Sequence, residues 1–152
     1  MRYWLMKSEP DVYSIADLEQ DPEEIWDGVR NYQARNFLRE MAIGDQAFFY
    51  HSNTKPPGIV GLMKIIEADI VDPTQFDSAN KYYDPKSDPE NPRWRTVKVG
   101  YGETFAQPIT LDTLKATFSP EELLVVKRGN RLSVMPVDDA IATRLLEMGR
   151  QG

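Results

Sequence analysis

The chain has 152 residues and a net charge of −6, from 24 acidic residues against 18 lysines and arginines. This length suits one domain over residues 1–152, with a core of ordinary size. There is no cysteine and one histidine, which excludes disulfides, thiolate metal sites and multi-histidine metal centres, so we expect neither metal nor cofactor.

Residues 1–10 lack the apolar stretch of a signal peptide, and no stretch approaches the length of a membrane span. The absence of cysteine fits a reducing compartment. We therefore expect a monomeric, cytoplasmic protein with no membrane partner.

Charge is distributed unevenly along the chain. Residues 1–25 carry seven acidic side chains, whereas basic side chains cluster in three later groups. These groups are Arg30, Arg35 and Arg39; Arg93, Arg95 and Lys98; and Lys127, Arg128 and Arg131. The acidic total argues against non-specific capture of nucleic acid, but a local basic face favours a selective binder. Basic residues scattered over a solvated surface are the alternative.

In chain order, aromatic and branched residues at 2–7 predict a first strand. Ser14 is a good N-cap for the short helix that follows. A second helix is predicted at residues 31–41 from its apolar spacing, with Gly44 as its stop.

Strands are predicted at residues 47–51 and 59–70, separated by a proline-rich turn. Residues 72–92 are rich in Pro, Asp, Asn and Ser and predict a long loop, a kind of segment that is often functional. A strand follows at residues 94–101. We expect the loop to close over a binding pocket and to deliver Trp94 to it.

Thr110 predicts the cap of a helix that ends near residue 117. Ser119-Pro120-Glu121-Glu122 has the pattern of a capping box with proline in the first turn of a helix. Residues 132–135 predict a last strand, and residues 137–148 predict a C-terminal helix that Gly149 ends. Strands and helices interleave without βαβ spacing, which favours a small mixed barrel with peripheral helices.

The segment from Trp26 to Asn36 combines chemical groups that packing alone seldom requires. Its sequence, WDGVRNYQARN, holds an indole, a phenol, two amide-bearing asparagines and two guanidinium groups. A ring for stacking, amides for a base edge and arginines for phosphate are what a nucleobase site requires. A buried tryptophan that anchors a turn before a solvated helix is the alternative.

Several longer strings resemble the EVE domain family. They are YWLMKSEP at 3–10, the Trp26 segment, FFYHSN at 48–53, PGIVG at 57–61, DPTQFD at 72–77 and GNRLSVMP at 129–136. The resemblance covers nearly the whole chain in order. That family is similar to the YTH, ASCH and PUA domains, so the resemblance implies an α+β, PUA-like mixed β-barrel with peripheral helices. It also implies a binding module for RNA or modified bases.

The similarity to YTH domains, in which two tryptophans form a cage around a methylated base, implies aromatic walls at Trp26 and Trp94. Core packing at a strand end is an equally open interpretation of Trp94. Lys7 and Ser8 follow the first strand, where the Ser8 hydroxyl can bind a ligand or simply stabilise a turn.

Asn31 can read a base edge with its amide or cap the helix that it precedes. Tyr32 lies at the start of that helix, where the backbone N–H groups favour an anion. Arg30 and Arg35 can hold phosphates that flank the base, or remain solvated.

His51 and Ser52 end an aromatic strand and are further candidates for ligand contact. A hydrolase that used His51 with Ser52 or Ser8 would need an orienting acid, and the chain has no Gly-x-Ser-x-Gly elbow. We therefore predict a non-catalytic module that binds nucleic acid with a modified base, modified cytosine in DNA first and modified RNA next. A nucleotide-metabolite binder, an enzyme that acts on a flipped base and a protein-interaction module are the alternatives.

Overall fold

The computed structural model describes residues 1–151, in which six strands form one mixed sheet and four α-helices pack around it. The strands are β1 (Tyr3–Ser8), β2 (Glu23–Ile25), β3 (Gln46–His51), β4 (Gly58–Val71), β5 (Arg95–Thr110) and β6 (Val134–Val137). The helices are α1 (Ile15–Gln20), α2 (Tyr32–Glu40), α3 (Leu111–Thr117) and α4 (Asp139–Gln151). Two short 3₁₀ turns lie at Pro73–Phe76 and Leu124–Val126.

The strand order is β2-β5-β4-β3-β1-β6, with β1 parallel to β3 and the other pairs antiparallel. The long β4–β5 pair changes register at four places, and such irregularities increase twist and curvature. Within residues 1–151 the sheet stays open, with β2 and β6 at its two edges. The α+β class is confirmed, and "barrel" describes this sheet only loosely.

Two apolar cores lie on the two faces of the sheet, and β1 serves both. Leu5 belongs to the core that includes α3 and α4, whereas Trp4 and Met6 belong to the core that includes α1 and α2. Successive side chains of a strand point to opposite faces, so a strand covered on both sides reads as the continuous apolar run seen here.

Local capping signals predicted three helix starts correctly. Ser14 and Asp17 form a complete capping box at α1. Asn31 accepts the Ala34 N–H at the start of α2, and Thr110 accepts the Thr113 N–H at the start of α3. These bonds satisfy N–H groups that the first helical turn leaves unpaired.

Other local predictions were wrong. The edge strand β2 was not predicted, and the Ser119–Glu122 box forms both of its hydrogen bonds without starting an α-helix. Burial of Leu123, Val125 and Val126 directs the chain into the core instead. Gly149 lies inside α4 rather than at its end.

The position of Gly149 has a packing reason. A Cβ at this residue would lie less than 3.0 Å from the ring of Phe105 on β5, which is closer than real Cβ atoms approach a neighbour. The missing side chain therefore lets α4 approach the sheet closely.

We expect Gly149→Ala to lower the free energy of unfolding by about 1–3 kcal/mol through overpacking, despite the better helix propensity of alanine. Urea unfolding measures this change. In a Phe105→Leu background, where the ring is absent, the same substitution should cost less. A Gly149→Ala protein more stable than the wild type would contradict the close approach.

Candidate functional site

A cleft of about 1070 Å³ lies where the end of β1, the β2–α2 connection and the β4–β5 loop meet. It brings together residues from six separate parts of the chain. Its lining consists of Lys7, Ser8, Glu9, Val12, Tyr13, Glu24, Ile25, Trp26, Asp27, Gly28, Val29, Arg30, Ser52, Asn53, Lys81, Tyr82, Arg131 and Ser133. Five of the predicted site residues are among them: Lys7, Ser8, Trp26, Arg30 and Ser52.

Trp26 contributes to the floor of this cleft. Its side chain is largely buried, with 7% of the residue exposed, and its ring meets Phe49 edge-to-face at 5.4 Å between centroids. The Trp26 N–H donates to the Val97 carbonyl, and the Trp26 carbonyl accepts the Thr96 hydroxyl. Trp26 is therefore both a core residue and a rigid part of the site.

Tyr82, which was not among the predicted site residues, adds a large aromatic group to the lining beside Trp26 and Tyr13. Its ring lies against the backbone of Gly28, where an added Cβ would lie 2.5 Å from ring atoms. Gly28 also has φ +83°, a conformation that favours glycine. The only signal in the sequence was a pair of tyrosines inside an otherwise polar loop.

Arg30 holds Tyr82 in this position through the Tyr82 backbone. Its guanidinium donates to the Tyr82 carbonyl through Nε and Nη2, at 3.0 and 2.7 Å. The remaining donors reach Asp72, the Val29 carbonyl and the Thr74 hydroxyl. All five N–H groups are occupied, so Arg30 holds the loop and has no free donor for the predicted phosphate contact.

Trp94 lies outside the cleft, contrary to the expected second wall. The residue is 6% exposed, its ring stacks on Tyr32 with 4.9 Å between centroids, and its indole N–H donates to Asp84 at 2.7 Å. That hydrogen bond holds the pKa of the Asp84 carboxyl below its usual range. The Arg35 guanidinium lies 4.8 Å from the Tyr32 ring centroid and 6.0 Å from that of Trp94, and it donates to the Arg93 carbonyl. This separate stack joins the start of α2 to the end of the loop.

His51 and Asn31 also lie outside the main cleft. The His51 Nε2 atom accepts the Ile15 N–H at 3.2 Å, and burial lowers the pKa of the imidazole. A neutral ring therefore joins β3 to α1. Asn31 caps α2 and lines a second, smaller cleft of about 380 Å³.

Lys7, Ser8 and Ser52 meet at the strand ends. The Ser8 hydroxyl donates to the Tyr13 carbonyl at 2.6 Å, and the Ser8 carbonyl accepts the Ser52 N–H. Burial lowers the pKa of the Lys7 ammonium, whose Nζ lies 5.7 Å from the Tyr50 ring centroid. Lys7 has no ion-pair partner among residues 1–151.

Carboxylates in the lining were not predicted as site residues. Burial raises the pKa of Asp27, the negative charges of Asp72 and Glu24 raise it further, and Arg30 opposes them. Asp27 as a whole is exposed, so its carboxylate is open to a ligand in the cleft. The Asp27 carboxylate is a strong hydrogen-bond acceptor, and within residues 1–151 its own backbone N–H is the only group that donates to it.

The long loop is held in place by one buried amide. The Gln75 side chain donates to the carbonyls of Asp72 and Trp94 and accepts from the Ser87 hydroxyl and the Trp94 N–H. The loop thus delivers Tyr82 rather than Trp94 to the cleft. Closure of the loop on a ligand stays a prediction.

Two features are not found in residues 1–151. No group of three or more His, Asp or Glu side chains is placed to hold a metal ion there. None of the helices in that range is long and apolar enough to cross a membrane.

The curved, open sheet flanked by helices defines the structural class of the protein. The YTH domain of the Zygosaccharomyces rouxii MRB1 protein shares this fold, with a TM-score of 0.57 at 13% identity over 98% of this chain and 86% of that one. A family model described as "EVE domain" matches residues 2–148. The chain belongs to the EVE domain family.

Relatives agree with this assignment. Thymocyte nuclear protein 1 of Mus musculus is 46% identical in an alignment that covers 89% of this chain and 68% of the relative. The structure of a Pseudomonas syringae protein has a TM-score of 0.92 at 46% identity, covering 96% of this chain and 98% of that one. Human THYN1 protein, crystallised in complex with 5-methylcytosine-containing DNA, has a TM-score of 0.89 at 42% identity, covering 98% of each chain.

The contact between Gly28 and Tyr82 can be tested with a matched glycine. Gly28 and Gly44 have φ values of +83° and +96°, but a Cβ at Gly44 would meet nothing within 4 Å. Both alanine substitutions carry the backbone strain of about 1–2 kcal/mol. We expect Gly28→Ala to cost at least about 1 kcal/mol more in urea unfolding, because only there does the ring have to move. Equal losses would show that Tyr82 does not rest on Gly28.

Proposed function

We propose that this protein is a non-catalytic module that binds a modified nucleobase in the cleft floored by Trp26. Modified cytosine in DNA is the favoured ligand, and modified RNA is next. The observation that carries the proposal is the match to human THYN1 protein, which was crystallised with 5-methylcytosine-containing DNA and matches 98% of this chain at 42% identity.

The chemistry of the cleft supports a base as the ligand. Stacking of a base on an aromatic ring contributes about 1–3 kcal/mol, and Tyr82 in the lining offers such a ring. The Asp27 carboxylate can accept a hydrogen bond from the exocyclic amine of cytosine, a pairing that carboxylates make in nucleic-acid recognition. A tyrosine therefore takes the place that the predicted cage gave to a second tryptophan.

The side chains that a hydrolase would use are engaged elsewhere. The His51 Nε2 atom, the atom that a catalytic base would use, accepts a backbone N–H, and the Ser8 hydroxyl donates to a backbone carbonyl. Nucleophilic catalysis requires the hydroxyl and the base to be hydrogen-bonded to each other. This geometry favours binding over turnover of a flipped base.

A cytoplasmic location and a monomeric state are part of this proposal. The alternative ligand is a free nucleoside or nucleotide metabolite. Such a ligand makes few phosphate contacts, so its affinity would depend weakly on salt.

A panel of ligands distinguishes these possibilities. Fluorescence anisotropy would compare single-stranded DNA and RNA with cytosine, 5-methylcytosine or 5-hydroxymethylcytosine at one position, with the free nucleosides as competitors. We expect the methylated DNA to bind most tightly, and mass spectrometry after long incubation to recover it unchanged. Equal binding of modified and unmodified strands would contradict the proposal, and a product would contradict the absence of catalysis.

The first test of the site uses two neighbouring tyrosines. We expect Tyr82→Ala to weaken binding of methylated DNA by about 1–3 kcal/mol, since one stacking surface is removed. The hydrogen bonds to Arg30 use the Tyr82 carbonyl, so they survive the substitution. Tyr83→Ala, which removes an exposed ring next door, is the control and should bind normally. Equal effects of the two substitutions would remove Tyr82 from the site.

The second test concerns Asp27. Because burial raises the pKa of Asp27, the folded chain holds this proton more tightly than the unfolded chain, and stability is lost as the pH rises through the raised pKa. Asp27→Asn should therefore be more stable than the wild type at neutral pH, with a gain that shrinks as the pH falls towards about 4. Thermal unfolding at several pH values measures this difference.

The same variant should lose discrimination. Thymine carries the methyl group of 5-methylcytosine but has a carbonyl in place of the amine, so Asp27→Asn should shift the preference from 5-methylcytosine towards thymine. Asp11→Asn removes an exposed carboxylate without a hydrogen-bonding role and serves as the charge control. An unchanged preference in Asp27→Asn would exclude Asp27 from base recognition.

A further inference from the structure

Four of the nine basic side chains singled out in the sequence have protein partners that occupy them. Arg30 uses all five of its donors internally, and Arg35 donates to the Arg93 carbonyl. In the second basic group, Arg95 pairs with Asp69, and Lys98 pairs with Glu23 and Glu67. These side chains are poorly placed to bind a ligand's phosphates.

The third basic group differs. Lys127, Arg128 and Arg131 are exposed and form no ion pair with any residue from 1 to 151. Three unpaired cations close together in the chain create a positive potential that attracts anions. Because the protein as a whole is acidic, such a local patch favours selective over non-specific binding of anions.

These cations line the second cleft, which lies between the start of α2 and the loop before β6. Arg131 lines both this cleft and the main one, so the two lie side by side. A chain of phosphodiester groups attached to a base in the main cleft can therefore pass over Arg131 into the second cleft.

The loop that carries these cations is held rigid by Asn130. The Asn130 side chain donates to the Leu124 carbonyl at 2.8 Å and accepts the Leu132 N–H at 3.0 Å. Its backbone N–H donates to the Lys127 carbonyl. Because the loop is already ordered, little conformational entropy is lost when its cations bind a ligand.

Charged residues on opposite sides of the main cleft differ in sign. Glu24 lies on the edge strand β2, whereas Arg131 lies just before β6, the opposite edge strand. A phosphodiester chain is repelled by carboxylates and attracted by guanidinium groups. The favourable exit from the main cleft is therefore towards β6.

We propose that the second cleft is a track for the sugar–phosphate backbone, in which Lys127, Arg128 and Arg131 bind phosphates next to the recognised base. This inference rests on the proposed function, because it takes a base in the main cleft as its starting point. Three phosphates neutralised on a single strand correspond to a slope of log affinity against log salt of about −2.

The test compares two double variants of the full chain. Lys127→Ala with Arg128→Ala removes two cations of the track, and Lys64→Ala with Lys115→Ala removes two exposed cations that line neither cleft. Both variants change the net charge equally. The probes are a single-stranded oligonucleotide with one 5-methylcytosine, its unmodified counterpart and free 5-methyl-2′-deoxycytidine.

We expect the track variant to bind both strands several-fold more weakly, with a salt slope shallower by about 0.7 for each phosphate that is no longer neutralised. Its affinity for the free nucleoside should equal that of the wild type, and the control variant should behave as the wild type throughout. Melting temperature checks that both variants fold. RNA versions of the strands show whether the track distinguishes the two sugars.

An unchanged slope, or an equal loss of nucleoside binding, would overturn the track. A shallower slope on strands that the wild type binds without preference for the modified base would support the track and overturn the proposed function. Wild-type protein that binds none of the probes would overturn both.

Discussion

The candidate site depends on the buried carboxylate of Asp72, which joins two segments far apart in the chain. One oxygen accepts the Gly28 N–H and an Arg30 N–H at 2.9 and 3.0 Å, and the other accepts the N–H and the hydroxyl of Thr74. The residue is 1% exposed, and a buried charge without partners costs several kcal/mol. Because all of these donors are needed, the Trp26 segment and the β4–β5 loop hold each other in place.

This constraint assigns different roles to chemically similar residues. Arg30 neutralises Asp72 and positions the Tyr82 backbone, so the tyrosine ring is ordered before any ligand arrives. An aromatic surface that is already ordered loses less entropy on binding than a mobile one. The cations that remain available to a ligand are those without such protein partners, and they include Lys127 and Arg128 at the second cleft.

The three tryptophans also contact specific partners within the fold. The indole N–H of Trp4 donates to Asp45 and that of Trp94 donates to Asp84, while Trp26 packs on Phe49. Burial disfavours the Asp45 charge, but hydrogen bonds from Arg2, Trp4 and Ala42 outweigh it and keep the pKa of this carboxyl below its usual range. Tryptophans therefore join the elements of the fold, and a tyrosine provides the more accessible ring of the cleft.

Short-range patterns in the sequence were enough to predict the α+β class and the caps at Ser14, Asn31 and Thr110. They also singled out the Trp26 segment, which lines the candidate cleft. Apolar periodicity and capping bonds involve residues a few positions apart, so they can be read directly from the chain. The partners of polar side chains cannot be read in this way. Gly28 meets Asp72 across 44 positions and Arg30 meets Tyr82 across 52, and these distant contacts made Arg30 structural, put Tyr82 in the cleft and left Trp94 outside it.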